Sequence, residues 1–333
     1  MRTITKVVWA CLLVASLAAP AMSHHSAAAY NTQQPLTVTG TITKYQFRNP
    51  HIFITLDVKN ADGSTSSLEV EVGAASVMMA RGFTKDAVSV GEVVTISGNP
   101  ARNPADKTML GRELLKKDGK YYPLNIGSRS IYEANAAATA TSIAGTWVSP
   151  SLGGFRVPPG VVTDKGKAEM AKAGPTTTTQ KDCIPIGEPF VMFYPVANTI
   201  TVAKDRVTLK VDWMDTERVV YLDGRAHPPA TQTFLHGHST GKWEGSTLVI
   251  ETTNFKEHEN GFSTSLPSST QKKLIERLSL APDGKSVLYS GTAEDPVYLT
   301  KPVDWSGRWD YRPTMQHSNE KCDVDVARKF LKQ

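Results

Sequence analysis

Short runs of alternating apolar and polar residues, bounded by Gly, Pro, Asn or Asp, recur along most of this chain. Alternation at a period of two is the mark of strands with one buried face. No βαβ alternation, Gly-rich phosphate loop or defensible internal repeat accompanies it, so a parallel-sheet nucleotide fold is not expected. The fold class expected is all-β. At 333 residues, 40% of them hydrophobic, the chain is long enough for two cores of ordinary size.

Residues 36–47 alternate Thr, Val, Ile and Tyr, and 52–58 repeat the pattern after the turn signal Arg48-Asn49-Pro50. Further strands are expected at 67–72, 88–97 and 109–115, with one short helix at 74–81. Three strands, a helix and two strands is the order of an OB-like five-stranded barrel, whose long first strand pairs on both sides. A small β-sandwich is the alternative.

The Ser-, Ala- and Thr-rich stretch 127–143 is expected to be a linker between an OB-like domain at 24–126 and a second domain at 144–333. Alternating runs at 198–203, 207–211, 218–222, 247–252, 273–280 and 286–292, with Asp-Gly turns at Asp223-Gly224 and Asp283-Gly284, suggest an antiparallel β-barrel or sandwich there.

Arg2 and Lys6, the apolar run 7–19 and the small residues Ala21-Met22-Ser23 follow the pattern of a secretory signal, with cleavage expected after Ser23. An uncleaved anchor is disfavoured because the run is short for a bilayer, and no later stretch resembles a transmembrane helix. A periplasmic or secreted protein is expected. Cys11 leaves with the signal, and Cys183 and Cys322 are left to form one disulfide in an oxidising compartment. Closing so long a loop is worth roughly 4 to 5 kcal/mol in the chain-entropy account. Basic residues exceed acidic ones by 37 to 32, and removal of Arg2 and Lys6 narrows that gap, so nucleic acid is not an expected partner.

His24-His25-Ser26, the strand Pro35-Leu36-Thr37-Val38-Thr39-Gly40, Asn49-Pro50-His51, Gly98-Asn99-Pro100 and Ala101-Arg102 together resemble a bacterial exported family, domain of unknown function 6152, over roughly residues 24–125. That resemblance implies export and no particular activity. The second half resembles exported proteobacterial hypothetical proteins through Cys183-Ile184-Pro185, Asp223-Gly224-Arg225-Ala226-His227-Pro228, Gly237-His238-Ser239, Trp243-Glu244-Gly245, Glu276-Arg277 and Glu294-Asp295-Pro296. Ser246 and Ser268-Ser269 depart from that pattern. Gly145-Thr146-Trp147 is similar to the start of lipocalin-like barrels.

Cleavage after Ser23 makes His24 the first residue, whose α-amine and imidazole can chelate copper together with His25 or His51, since copper(II) favours nitrogen donors in a tetragonal array. A solvent-exposed tail at 24–25 and a structural His51 is the plainer reading. Asp223, Arg225, His227, His238, Trp243 and Glu244 crowd into one stretch and form the candidate ligand-binding set, with Arg225 for an anion and His227 or His238 as proton carriers. The plainer reading is a tight hairpin at Asp223-Gly224-Arg225 with Trp243 in the core. His236 and His238 are spaced for zinc but lack a third ligand. Gly237-His238-Ser239-Thr240-Gly241 matches a nucleophile elbow without its strand-to-helix context. The favoured function is an exported periplasmic binding protein for a small or apolar ligand, with a possible copper site at His24, His25 and His51. The alternative is a periplasmic enzyme, copper-dependent or a hydratase, isomerase or hydrolase using His227, His238 and Glu244.

Overall fold

The computed structural model describes residues 29–132, 138–150 and 154–332. The expected signal, Cys11, His24 and His25 lie outside them. The chain is all-β, with a closed five-stranded barrel in its N-terminal part and a closed nine-stranded barrel in its C-terminal part.

The first barrel has the expected order: β1 (Leu36–Gln46), β2 (Phe53–Lys59), β3 (Thr65–Glu71), α1 (Ala75–Met79), β4 (Val93–Pro100) and β5 (Thr108–Lys116), with a short β6 (Tyr121–Pro123) added to β5. The first half of β1 pairs with β4 and the second half with β2. Two features let one strand serve both. A register shift falls between Ile42 and Lys44 and bends β1. Gly40 lies against the Asp57 carbonyl, where an added Cβ would come within 2.7 Å. The parallel pairing of β3 with β5 closes the barrel. Inward residues Ile42, Ile54, Leu56, Val70 and Ile96 are fully buried, each contributing roughly 1.5 to 3 kcal/mol of transfer free energy, and Ala75 and Met78 of α1 add to the same core.

The second barrel comprises β7 (Gly145–Val148), β8 (Ala197–Val202), β9 (Arg206–Val211), β10 (Glu217–Tyr221), β11 (His238–Glu244), β12 (Thr247–Thr253), β13 (Lys273–Leu280), β14 (Ser286–Glu294) and β15 (Val303–Tyr311). It is a barrel rather than a sandwich, and its pairings are antiparallel except for β10 with β11. Strands that run the same way need a crossover between them. Residues 222–237 supply it, so Asp223-Gly224-Arg225 begins a crossing rather than a hairpin.

Neither β15 nor the helix α2 (Asp164–Lys172) stands out in the sequence pattern. Gly307 interrupts the inward row Val303, Trp305 and Trp309, and α2 rests on a Thr163 cap bonded to the Gly166 amide at 3.1 Å rather than on a strong apolar stripe.

One end of this barrel gathers the long connections 149–196, 254–272 and 295–302, and residues 186–193 close it with Ile186, Glu188, Val191, Met192 and Phe193 all buried. Trp147, Leu248, Ile250, Leu274, Leu278, Tyr289 and Trp309 have no water-accessible surface. A chamber able to hold a ligand would leave such surface on its walls, so none adjoins these side chains. The expected Cys183–Cys322 disulfide is present and spans 139 residues. Among the described residues no helix is long and apolar enough to cross a membrane.

Candidate functional site

Alternation along the strands decides where the predicted second-domain set lies. Ser239 and Thr252 point into the barrel and are buried, so their neighbours His238, Thr240 and Glu251 face outward. His227, on the crossover, meets His238 on that outer wall with their Nδ1 atoms 2.8 Å apart. The ring centroids are 5.0 Å apart, close to that contact plus the two ring radii. The nitrogens therefore face each other along one line and share a proton, rather than converging on a third atom. His227 Nε2 lies 3.3 Å from Thr240 Oγ1 and 3.4 Å from Glu251. His238 stacks on Tyr221, and Arg225 lies 3.7 Å above the same Tyr221 ring while pairing with Asp223. Burial, then the neighbouring His227 and Arg225, holds His238 below the usual histidine range.

The structure thus joins Asp223, Arg225, His227 and His238 but separates Trp243 and Glu244 from them. Those two sit where β11 turns into β12. Trp243 is 41% exposed rather than in the core, and Glu244 pairs with Lys242 at 2.9 Å and Arg277 at 2.6 Å. Ser239 is no nucleophile: it is buried in β11 and bonded to Thr252 at 2.9 Å.

A second group, of which only His236 was among the candidate site residues of the sequence, fills the closed end of the barrel. Arg218 donates to both oxygens of Glu276 at 3.0 and 2.5 Å, and Glu276 also accepts from Tyr289 at 2.6 Å and Thr252 at 3.2 Å. Beside it, His236 Nδ1 lies 2.7 Å from Glu188 Oε1. Glu188 Oε2 and Arg218 Nε have no hydrogen-bond partner, and Arg218 Nε stands 4.0 Å from Glu188, beyond hydrogen-bond range. Burial alone would raise the Glu188 carboxyl, but His236, Arg218 and Lys272 together hold it down to about 2. Burial pushes the Lys272 ammonium down to about 8, although it donates to the Gly261 carbonyl at 2.8 Å and lies over the Phe255 and Phe262 rings. Burial, then Lys272, pushes His258 down to about 4. His258 Nδ1 accepts from the Asn260 amide at 3.0 Å, so its Nε2–H donates to the Pro185 carbonyl at 2.9 Å. The signal for this group was Arg218 and Glu276 at positions the strand pattern turns inward, where charge is rare unless paired; Glu188 and Lys272 lie outside the strands and carried no such signal.

In the first barrel, His51 follows the Asn49-Pro50 turn and precedes β2. Its Nδ1 lies 3.1 Å from Glu71 Oε1 and 3.3 Å from the Val72 carbonyl, and the other Glu71 oxygen accepts from the Tyr30 hydroxyl at 3.0 Å. Both neighbours of Nδ1 are acceptors, so Nδ1 carries a proton and Nε2 is the ring nitrogen left for a further partner. A metal-binding histidine is held in this way, its second nitrogen bonded to a carboxylate or carbonyl. The His51 side chain is 32% exposed. Among the described residues no three His, Cys, Asp or Glu side chains converge on one point, and the expected co-donors His24 and His25 lie outside the described residues. Tyr30 ties the chain to Glu71, and the six peptide steps back to His24 reach at most about 20 Å.

A search of curated proteins finds no match to this chain. Residues 11–109, about the first third of the chain through the start of β5, match the model of a family of unknown function, DUF6152.

Proposed function

We propose that the chain is an exported binding protein, periplasmic or secreted, whose small ligand is a copper ion anchored by His51. The observation that carries this is the contact of His51 Nδ1 with Glu71 and the Val72 carbonyl, which leaves Nε2 as the edge of the ring turned to a further partner. After cleavage behind Ser23, the amine and imidazole of His24, with His25, complete a nitrogen donor set that suits copper(II). The inward side chains of the second barrel that have no water-accessible surface turn the expectation of an apolar ligand toward this edge of the first.

Protein exported on its own signal, with the new N-terminus read by mass spectrometry, tests the proposal. One equivalent of copper is expected, lost in His24→Ala and in His51→Ala. Copper uptake that ignores His51 sinks it.

One observation supports the enzymatic alternative at a different place. A wholly buried Glu188 orients His236, whose side chain is 18% exposed, as a buried carboxylate orients a general base. The set His227, His238 and Glu244 does not support that chemistry, because Glu244 pairs elsewhere.

A further inference from the structure

We propose that the C-terminal segment 317–329 is a disulfide-latched clasp on the Asn49–His51 turn, and that a dithiol reductant opening Cys183–Cys322 weakens metal capture at His51. The second half of this proposal rests on the copper reading above; the first does not.

The segment starts on the second barrel. His317 Nε2 lies 2.8 Å from Thr199 Oγ1, and the Ser318 amide and hydroxyl donate to Asp212 at 2.8 and 2.9 Å. It then crosses to the first barrel, where Asn49 is 2% exposed. Asn49 Nδ2 donates to the Glu320 carbonyl at 2.8 Å, its own carbonyl accepts from the Asp323 amide at 2.9 Å, and the two backbones form a parallel bridge at Asn49 and Cys322. Arg48 pairs with Asp323, and Lys85 with Glu320 at 2.9 Å. Beyond α3 (Val324–Ala327), Lys329 pairs with Glu69 and lies 4.1 Å above the Phe53 ring.

These contacts bracket the proposed donor. His51 is two residues from Asn49, and Glu71, which holds its Nδ1, is two residues from Glu69. The clasp therefore grips both strands that set the imidazole. Asn49 passes the restraint to α1 as well, because its Oδ1 accepts from the Ser76 amide and hydroxyl at 3.3 and 3.2 Å.

Most of the side-chain contacts are partly exposed ion pairs, each worth little in water. The one covalent tie is Cys322 to Cys183, reinforced by Arg328 with Asp182 on the same turn. Both cysteines are partly exposed, and a groove of about 770 Å³ lined by Phe47, Arg48, Glu320 and Cys322 leads to the bond. A dithiol attacks one sulfur to give a mixed disulfide, and its second thiol resolves it. Two electrons and two protons pass to Cys183 and Cys322, and the reductant leaves as its own disulfide.

The test uses protein exported on its own signal, oxidised wild type against Cys183→Ser/Cys322→Ser, with amide hydrogen exchange and, in the absence of thiol, titration with copper(II). The proposal expects exchange at 49–52 and 69–72 to rise about tenfold or more in the double variant, and copper affinity to fall about tenfold. Faster exchange confined to 319–329, with 49–52 unchanged, overturns the clasp. Unchanged copper affinity in the double variant overturns the regulation. Where that variant fails to fold, exchange on folded wild type reduced by a dithiol decides the clasp by the same criterion. Oxidised protein that takes up no copper through His51 removes the metal reading and the regulation with it, while exchange at 49–52 still decides the clasp.

Discussion

Each barrel places a carboxylate against the Nδ1 of a histidine, and the two pairs serve different ends. His51 and Glu71 lie at the rim of the first barrel, where the carboxylate spends its second oxygen on Tyr30 and the imidazole keeps an open edge. Glu188 and His236 lie in the closed end of the second, where the carboxylate is wholly buried, leaves one oxygen unpartnered and depends on Arg218, Lys272 and His236 to stay ionised. The same pairwise contact is an oriented donor in one setting and part of a closing network in the other. The difference lies in what surrounds the carboxylate.

The largest test of that contrast is Arg218→Ala. Removing one partner of a buried ion pair leaves Glu276 charged and uncompensated, and about 3 to 5 kcal/mol of unfolding free energy is expected to be lost in denaturant titration. A loss as small as that of a surface pair would mean the network does not hold the barrel end shut.

Next comes pH. His258 has a folded-state pKa near 4, below its unfolded value, so the unfolded chain takes up a proton first as pH falls. Stability is expected to decline between about pH 6.5 and 4, by on the order of 3 kcal/mol, and His258→Gln should flatten that slope. Glu188 acts lower on the scale. Its carboxylate contributes stability above its unfolded pKa, and this is lost as pH falls from about 4.5 toward 2. Thermal midpoints across pH 2 to 7 separate the two windows.

On the first barrel, Glu71→Gln keeps the shape but weakens the hold on His51. A drop in copper affinity of about 10- to 100-fold with little change in unfolding free energy is the expected result; equal affinity would reduce Glu71 to a fold residue. The smallest effect is expected at Glu244→Ala, which removes exposed pairs on the far hairpin and should alter neither the unfolding midpoint nor copper binding. A ligand-binding defect there would reunite a set of residues that the fold keeps apart.

Much of the first barrel was legible because each element carries its own signal. The alternating runs locate β1, β2, β3 and β5 to within two residues, whereas β4 begins at Val93, five residues after the expected start, and the strand–helix–strand order favours the OB-like barrel that is found. The second barrel was legible as β and no further. The parallel pairing of β10 with β11 depends on a crossover whose Asp-Gly start reads locally as a hairpin. Ser239, His238 and Trp243 are near neighbours in sequence, yet alternation and strand length send them to the interior, the outer wall and the far turn. Cys183 and Cys322 could be paired by count once Cys11 is assigned to the expected signal, whereas their role in holding the tail on the first barrel depends on where β15 releases the chain.

Local chemistry along the chain therefore determined the all-β class, the strand positions of the first barrel and the disulfide partners, because periodicity, turn residues and cysteine number act over short range or need no geometry. Only the tertiary structure decided which charged residues face inward, which histidines meet a carboxylate and what covers the Asn49–His51 turn. Those outcomes depend on register, crossover and closure, which bring together residues as distant as Glu188 and His236, or Asn49 and Cys322.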